Sequence, residues 1–297
     1  AAGAAMASAP AGACGCRRVQ DCGWALDEDL PAWPSVCGLR RRVLRSPDTT
    51  SFPTARNKQE FTLNGGSGTH IDAPAHFIPG GRTVEVLAPA ELVGVPLAVL
   101  DVQAACAEDA DHCLSCGEVE ADEARHGPIA PGSLVCVRTG WARRCAEGRA
   151  QLAEYRRCAG VAPEAGAAEA FTAYQNAGPA EDIHPEYKLP RMHFPGLSPE
   201  AAALLVVARG AVGIGVDTLS PDAGASEGFK VHHVVLGADR YILENLNLDG
   251  LPARGATAIV APLAIRGAPE APARVFATLP DDGPAAAGGA AEGANHP

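Results

Sequence analysis

The chain has 297 residues, of which 47% are hydrophobic and 20% are charged, a balance typical of a globular protein with one large domain or two small ones. Its formal net charge of −11 disfavours nucleic acid and anionic membrane as partners, because neither would meet a basic surface. The longest apolar stretch, residues 201–216, is interrupted by Arg209 and several glycines, so we expect no membrane-spanning helix.

Both ends of the chain are poor in residues that build a core. Residues 1–17 are mostly small and lack the basic and apolar regions of a secretory signal, which predicts a disordered leader or the remnant of an organelle-targeting peptide. Residues 281–297 are rich in Ala, Gly and Pro and predict a disordered tail. The ten cysteines follow no disulfide framework, so we expect reduced thiols, a cytoplasmic protein and one folded domain over residues 18–280.

Apolar runs of strand length alternate with helical signals inside that domain. Ser198-Pro199-Glu200 predicts a helix start, with Ser as N-cap and Pro in the first turn, and Gly210 predicts its end. Residues 142–158 predict an exposed helix, and residues 159–193 a long loop or insertion. The pattern favours an α/β fold with a mixed sheet. The predicted strands are apolar on both faces, so we expect both faces to be buried. They are Leu97–Val102, Ser133–Arg138, Gly213–Val216, Tyr241–Leu243 and Ala258–Pro262.

The densest polar motif is His70-Ile-Asp72-Ala-Pro74-Ala-His76. In an extended segment, His70 and Asp72 point to the same face, and imidazole plus carboxylate suit a divalent ion such as zinc or manganese. Pro74 should end the strand and turn His76 back toward the same place, where it could move protons. The alternative is a surface strand whose histidines are close by chance.

A second polar cluster could supply the remaining ligands. Glu244 ends the apolar run Tyr241–Leu243, where a carboxylate without a cation would be costly. His232 lies before a short apolar segment, and a turn at residues 237–239 could bring the two side chains together. A surface histidine with a capped strand end is the competing interpretation.

Four motifs in order resemble the cyclase family of metal-dependent hydrolases, which includes bacterial-type kynurenine formamidase and isatin hydrolase. The resemblance covers residues 19–279. The motifs are the His70–Phe77 segment, Arg138-Thr-Gly-Trp141, His193-Phe-Pro-Gly-Leu-Ser198 and Tyr241-Ile-Leu-Glu-Asn-Leu246.

The resemblance implies a single α/β domain with a mixed, barrel-like β-sheet, flanking helices and a homo-oligomer, dimer or tetramer. It implies a zinc or manganese centre held by His70, Asp72, His232 and Glu244, with Asp72 bridging if two ions bind. His76 matches the family's proton-transferring histidine, and Trp33 matches an aromatic position of the substrate pocket. Trp33 could instead be a core aromatic. His193 and the Arg138–Trp141 turn could shape the pocket, with a packing role as their alternative.

One position departs from the family pattern. Formamidase-like members carry a further histidine four residues before the one matching His70, and here that residue is Gly66. A ligand is therefore missing, and we predict one ion rather than two, in a weaker or differently completed site.

These residues predict a hydrolase of a small amide that uses a metal-activated water, with His76 as the proton shuttle. The first candidate substrate is N-formylkynurenine, which would make the chain an arylformamidase of tryptophan catabolism. A cyclic amide of the isatin type is the alternative substrate. A catalytically inactive family member that acts as a binding or structural subunit is the alternative of another class.

Overall fold

The computed structural model describes residues 18–27, 33, 39–45, 58–147, 176, 178–186 and 188–280. The α-helices are α1 (Pro89–Leu92), α2 (Gln103–Glu108), α3 (Cys116–His126), α4 (Pro199–Ala203) and α5 (Lys230–Gly237), and residues 142–147 are also helical. Shorter turns are the 3-10 segments Pro74–His76 and Val84–Val86 and the π-helical Leu204–Ala208. The strands are β1 (Val19–Asp21), β2 (Arg40–Arg45), β3 (Lys58–Thr62), β4 (His70–Asp72), β5 (Val93–Asp101), β6 (Cys113–Leu114), β7 (Leu134–Arg138), β8 (Gly196–Leu197), β9 (Gly213–Val216), β10 (Tyr241–Glu244), β11 (Ala256–Pro262) and β12 (Glu270–Thr278).

Seven strands close into a mixed barrel. Their order is β12-β11-β5-β7-β9-β10-β4, and β4 pairs again with β12 to complete the ring. The run β5-β7-β9-β10 is parallel, and the remaining pairs of the ring are antiparallel. β1 extends the sheet by pairing with the far end of β12. The α/β single-domain fold with a barrel-like sheet that the sequence predicts is therefore confirmed.

Alternate residues of the strands enter two separate apolar clusters. On β7, Leu134 and Cys136 join the cluster shared by strands of the ring, whereas Val135 and Val137 join a cluster that includes Leu205 and Val235 of the helical layer. All four are buried. Burial of both faces explains why these strands read as continuous apolar runs in the sequence.

Two glycines of β9 leave room for their neighbours. A Cβ at Gly213 would collide with the ring of Tyr241, and a Cβ at Gly215 would lie 2.6 Å from Sγ of Cys136. Ile214 and Val216, between and beyond them, pack in the helical-layer cluster. β9 therefore has bulky side chains on the face that packs against the helices and only glycines on the other face, where the side chains of Tyr241 and Cys136 occupy the space.

The predicted elements agree with the observed ones where the signal was apolar or a helix cap. Each predicted strand overlaps one of β5, β7, β9, β10 and β11. Ser198 caps α4, since its Oγ accepts the Ala201 N–H at 3.1 Å, and Gly210 follows the helical segment with a φ of +68°. β12 was not predicted, and it bounds the site described below.

Some predictions fall wholly or partly outside the described residues. The leader 1–17 and the tail 281–297 lie outside them, as does the helix predicted beyond residue 147. The described part of the predicted loop 159–193 contains turns and isolated bridge residues, among them the pair Ile183 and Pro190. No helix within the described ranges is long and apolar enough to cross a bilayer.

Candidate metal centre

The site is built on three neighbouring strands, with β4 in the middle. His70 is paired with Glu244 of β10, and Asp72 is paired with Glu270 of β12. Ile71, between the two β4 side chains, packs into the cluster of the ring. Because side chains alternate along a strand, His70 and Asp72 share the opposite face, as the sequence predicts.

The carbonyl of Gly68 orients the His70 ring. Gly68 has a φ of +63°, a conformation that glycine adopts at little cost. Its carbonyl accepts hydrogen bonds from Nδ1 of His70 at 2.8 Å and from Nδ2 of Asn245 at 3.2 Å. With the proton on Nδ1, the Nε2 lone pair of His70 faces the carboxylates, the orientation that a metal ligand needs.

Asp222 orients the second imidazole in the same way. His232 lies in the first turn of α5, and its Nδ1 is 2.7 Å from Oδ2 of Asp222. The same carboxylate accepts the backbone N–H groups of Val231 and His232 at 2.8 and 3.1 Å. Asp222 thereby fixes both the start of α5 and the direction of the His232 ring, whose Nε2 is left free to bind.

Four side chains from two distant segments converge in this arrangement. Nε2 of His70 lies 3.6 Å from Oδ1 of Asp72 and 3.3 Å from Oε2 of Glu244. Nε2 of His232 lies 3.6 Å from Oδ2 of Asp72 and 3.4 Å from Oε1 of Glu244. The convergence of His70 and Asp72 with His232 and Glu244 is thus present in the fold.

The donors fit a divalent cation. Oδ1 of Asp72 is buried and has no hydrogen-bond partner, which is costly for a carboxylate oxygen unless a cation faces it. Two imidazoles and two carboxylates are a ligand set suited to zinc or manganese. His70, Asp72 and Glu244 form one group with metal-binding spacing, and Asp72, His76 and His232 form a second that shares Asp72.

The electrostatics of the site also favour positive charge. Burial by itself lowers the pKa of His70, but Asp72 and Glu244 outweigh burial and raise that pKa to about 10. Burial likewise opposes protonation of His232, yet Asp222, Asp72 and Glu244 raise its pKa well above the ordinary value. In the absence of a metal ion, protons would therefore supply the positive charge that the carboxylates attract.

His76 reaches the same place from the turn after β4. β4 ends at Asp72, and the 3-10 turn that begins with Pro74 places His76 beside the site, as predicted. The His76 ring centroid lies 6.0 Å from that of His232, and its side chain is 30% exposed. His76 is therefore the histidine of the site with access to solvent.

A cavity of about 240 Å³ opens over these donors. Phe229, with a φ of +41° just before α5, contacts the rings of Phe77 and Trp33 at centroid distances of 5.5 and 6.2 Å. Trp33 thus lies at the cavity, where the resemblance places it. The lining residues are Trp33, Asn64, Gly66, His70, Asp72, His76, Phe77, Leu219, Ser220, Phe229, His232, Glu244, Asn245 and Glu270.

His193 is not brought to this cavity. Its Nδ1 pairs with Oδ2 of Asp111 at 2.7 Å, and it is absent from the lining residues. The described residues therefore do not support a substrate contact for His193 and fit the alternative interpretation, a packing role. Trp141, from the Arg138–Trp141 turn, packs with Phe194 and with Leu219, and Leu219 lines the cavity. This turn therefore supports the cavity lining without reaching the cavity itself.

Three residues at the site escaped the sequence analysis. Asp222 precedes His232 by ten residues, and no local pattern joins them. Phe229 reads as an ordinary aromatic of a Gly-rich loop. Glu270 begins β12, and its one signal is a carboxylate between two prolines at the start of an apolar strand, Pro269-Glu270-Ala271-Pro272.

The closed mixed barrel and its donor set define an α/β protein with a candidate divalent-metal centre on the outer face of the barrel. The chain belongs to the cyclase family, because the family model described as "Putative cyclase" matches residues 20–223. This confirms the resemblance seen in the sequence.

Individual relatives agree with the family. The isatin hydrolase of Roseibium aggregatum is 33% identical over 224 residues, which are 72% of each chain. The kynurenine formamidase of Maricaulis maris is 28% identical over 267 residues, 89% of this chain and 99% of that one. The solved structure of isatin hydrolase A from Ralstonia solanacearum matches with a TM-score of 0.72 at 32% identity, covering 89% of this chain and 92% of the other.

Proposed function

We propose that the chain is a metal-dependent hydrolase that cleaves the C–N bond of a small aryl amide, with N-formylkynurenine as the first candidate substrate. The observation that carries this proposal is the convergence of His70, Asp72, His232 and Glu244 around an unpartnered oxygen of Asp72. Relatives named for hydrolysis of isatin and of a formamide support the reaction class.

These four residues would hold one zinc or manganese ion. A divalent ion bound there supplies Lewis-acid chemistry, since it lowers the pKa of a coordinated water toward neutrality and polarises an amide carbonyl. Burial of the four side chains strengthens their charge interactions, because water that would screen them is excluded. We retain one ion per chain as the proposal, because Gly66 offers no imidazole.

His76 would move the proton. Hydrolysis adds water across the amide, so one water proton must reach the leaving nitrogen as the C–N bond breaks. An imidazole has two ring nitrogens and can both accept that proton and donate one to the leaving nitrogen. The position of His76 at the open side of the site gives it access to substrate and solvent.

The cavity suits an aromatic substrate. Its volume of about 240 Å³ matches a small molecule rather than a peptide or a nucleic acid. Trp33, Phe77 and Phe229 present their rings to it, and aryl groups stack on such rings with a modest gain in free energy of about 0.5–1.5 kcal/mol per pair.

Isatin, a cyclic aryl amide, is the second candidate substrate. The isatin hydrolase relatives favour it, at 33% identity in sequence and a TM-score of 0.72 in structure. Both candidates place a carbonyl–nitrogen bond next to an aromatic ring, so the same donors and the same aromatic wall would serve either reaction.

Turnover with defined metal content tests the proposal. Protein stripped with a chelator would be reloaded with Zn²⁺ or Mn²⁺ and assayed on N-formylkynurenine and on isatin, with the stripped protein as the control. We expect hydrolysis of one of them to return with the metal, at one ion per chain. Metal binding without turnover of either amide would contradict the proposed activity and favour the inactive binding subunit. Two tightly held ions would contradict the single-ion site.

A further inference from the structure

Glu270 lies directly opposite Asp72 on the neighbouring strand. The Ala73 N–H donates to the Pro269 carbonyl at 2.8 Å, one position beyond this pair. The Ala273 N–H donates to the Thr69 carbonyl at 3.0 Å, three positions in the other direction. Asp72 and Glu270 therefore form a non-hydrogen-bonded pair, in which facing side chains approach most closely.

The Glu270 carboxylate occupies the space next to Gly65 and Gly66. A Cβ built on Gly66 would lie 3.1 Å from Oε2 of Glu270 and 3.5 Å from Nε2 of His70. A Cβ on Gly65 would lie 2.9 Å from Oε1 of Glu270. A side chain at position 66 would thus start in the gap between Glu270 and His70, and glycine leaves that gap to the carboxylate.

Among the described residues, neither of the two facing carboxylates forms an ion pair with Lys or Arg, and Asp72 is paired with the imidazoles of His70 and His232. Within the described part of the chain, the ion pairs of Glu270 are limited to His76, whose Nδ1 lies 3.9 Å from Oε2. Oδ1 of Asp72 is buried without a hydrogen bond. Like charges opposite each other on adjacent strands are destabilising, so a cation between them would relieve both groups.

We propose that Glu270 is a ligand of the divalent ion held by His70 and Asp72, and that its carboxylate takes the place of the imidazole that position 66 lacks. This inference rests on the metal centre proposed above and extends it. It makes the site complete in a different way, with a carboxylate from β12 in place of a histidine from the segment before β4.

Metal titration of four full-length proteins tests the role of Glu270. Wild type, Glu270→Gln, His70→Ala and the matched surface control Glu200→Gln would be stripped of metal and titrated calorimetrically with Mn²⁺ or Zn²⁺ alone. We expect Glu270→Gln to weaken binding by about 100-fold or more, since loss of a direct ligand exceeds the 10–100-fold effect of an outer partner. Glu200→Gln should bind as wild type does.

Thermal unfolding of the stripped proteins separates ligand loss from misfolding. Glu270→Gln removes one of two facing negative charges, so its Tm without metal should equal or exceed that of wild type. Its gain in Tm on addition of metal should be smaller than that of wild type. A stripped Glu270→Gln protein with a much lower Tm would indicate a structural role and would overturn the inference.

An exchange of ligands tests the place that Glu270 occupies. In Gly66→His with Glu270→Ala, the shortened residue 270 makes room for an imidazole, and we expect metal affinity to recover to within about tenfold of wild type, because the two sites are coupled. A folded double variant that stays weak would overturn the assigned place. Wild-type affinity in Glu270→Gln, together with loss in His70→Ala, would overturn the inference and leave the metal centre standing. Failure of wild type to bind either ion would overturn both.

Discussion

The two walls of the cavity differ in how firmly their side chains are held. On the inner wall, His70, Asp72, His232 and Glu244 have side chains between 1% and 7% exposed, and hydrogen bonds from Nδ1 orient both imidazoles. On the outer wall, His76 and Glu270 are 30% and 21% exposed. The inner wall is preorganised to hold an ion, whereas the outer wall can exchange protons with solvent and adapt to a substrate.

The largest expected effect is loss of an inner-wall ligand. Replacement of His232 by Ala should weaken metal binding by more than about 100-fold and remove turnover with it. His233 is the matched control, since it is the next residue of α5 and is exposed. Metal content and calorimetry would measure both variants. Equal losses in the two variants would show that the helix, and not the His232 imidazole, is what the site needs.

On the outer wall, the expected effect is on turnover alone. His76→Gln should leave metal affinity near the wild-type value and lower kcat by about 10²- to 10⁴-fold, the usual contribution of a positioned proton-transfer group. Steady-state kinetics on the amide that the wild type hydrolyses would measure the loss. An unchanged kcat would show that His76 does not move the proton.

An intermediate effect is expected for Asp222, which touches the inner wall from behind. Asp222→Asn keeps one oxygen that can accept the Val231 N–H, but an amide nitrogen in the place of Oδ2 can no longer accept from the His232 N–H or fix the proton on Nδ1 of His232. Metal affinity should fall by about 10- to 100-fold, with Asp249→Asn as an exposed control. Affinity equal to the control would show that the His232 ring is oriented by packing alone.

The fold was predictable where burial leaves a one-dimensional signal. β7, β9, β10 and the second half of β5 are buried on both faces and read as apolar runs, and the cap of α4 is local. β11 is apolar but buried on one face only, so the burial of both its faces that its sequence predicts is wrong. β12 was missed because Pro272 and the exposed Arg274 break its pattern, although it pairs with three strands. Pairing between distant segments stabilises it, and no local window contains that information.

The residues of the site were likewise predictable where their signal is local in the sequence. His70, Asp72 and His76 lie within one motif, so strand alternation and Pro74 were enough to place them. Asp222 and Glu270 act through contacts with residues that are distant in sequence, at 10 and 198 positions from His232 and Asp72 respectively. Their roles depend on the closed barrel and the start of α5, which only the folded chain brings together.

The smallest effect is expected from pH, and it follows from the inner wall. Burial opposes protonation of His70, but Asp72 and Glu244 raise its pKa to about 10. Without metal, the ring is therefore protonated on both nitrogens and positively charged at pH 7. An ion must displace that proton, and metal affinity should therefore rise with pH, by at most about tenfold per unit for each proton released, and level off above pH 10. Calorimetry between pH 6.5 and 8.5 in buffers of different ionisation enthalpy would count the protons.

Variants of the two walls should differ in how steeply their metal affinity rises with pH. Glu270→Gln leaves the protons of His70 and His232 in place, so its weaker binding should show the same rise with pH as wild type. His232→Ala removes one displaceable proton, and any residual binding should rise less steeply. Affinity that does not change with pH in wild type would show that the inner imidazoles are neutral before the ion binds, and the charge balance of the inner wall would then differ from the one described.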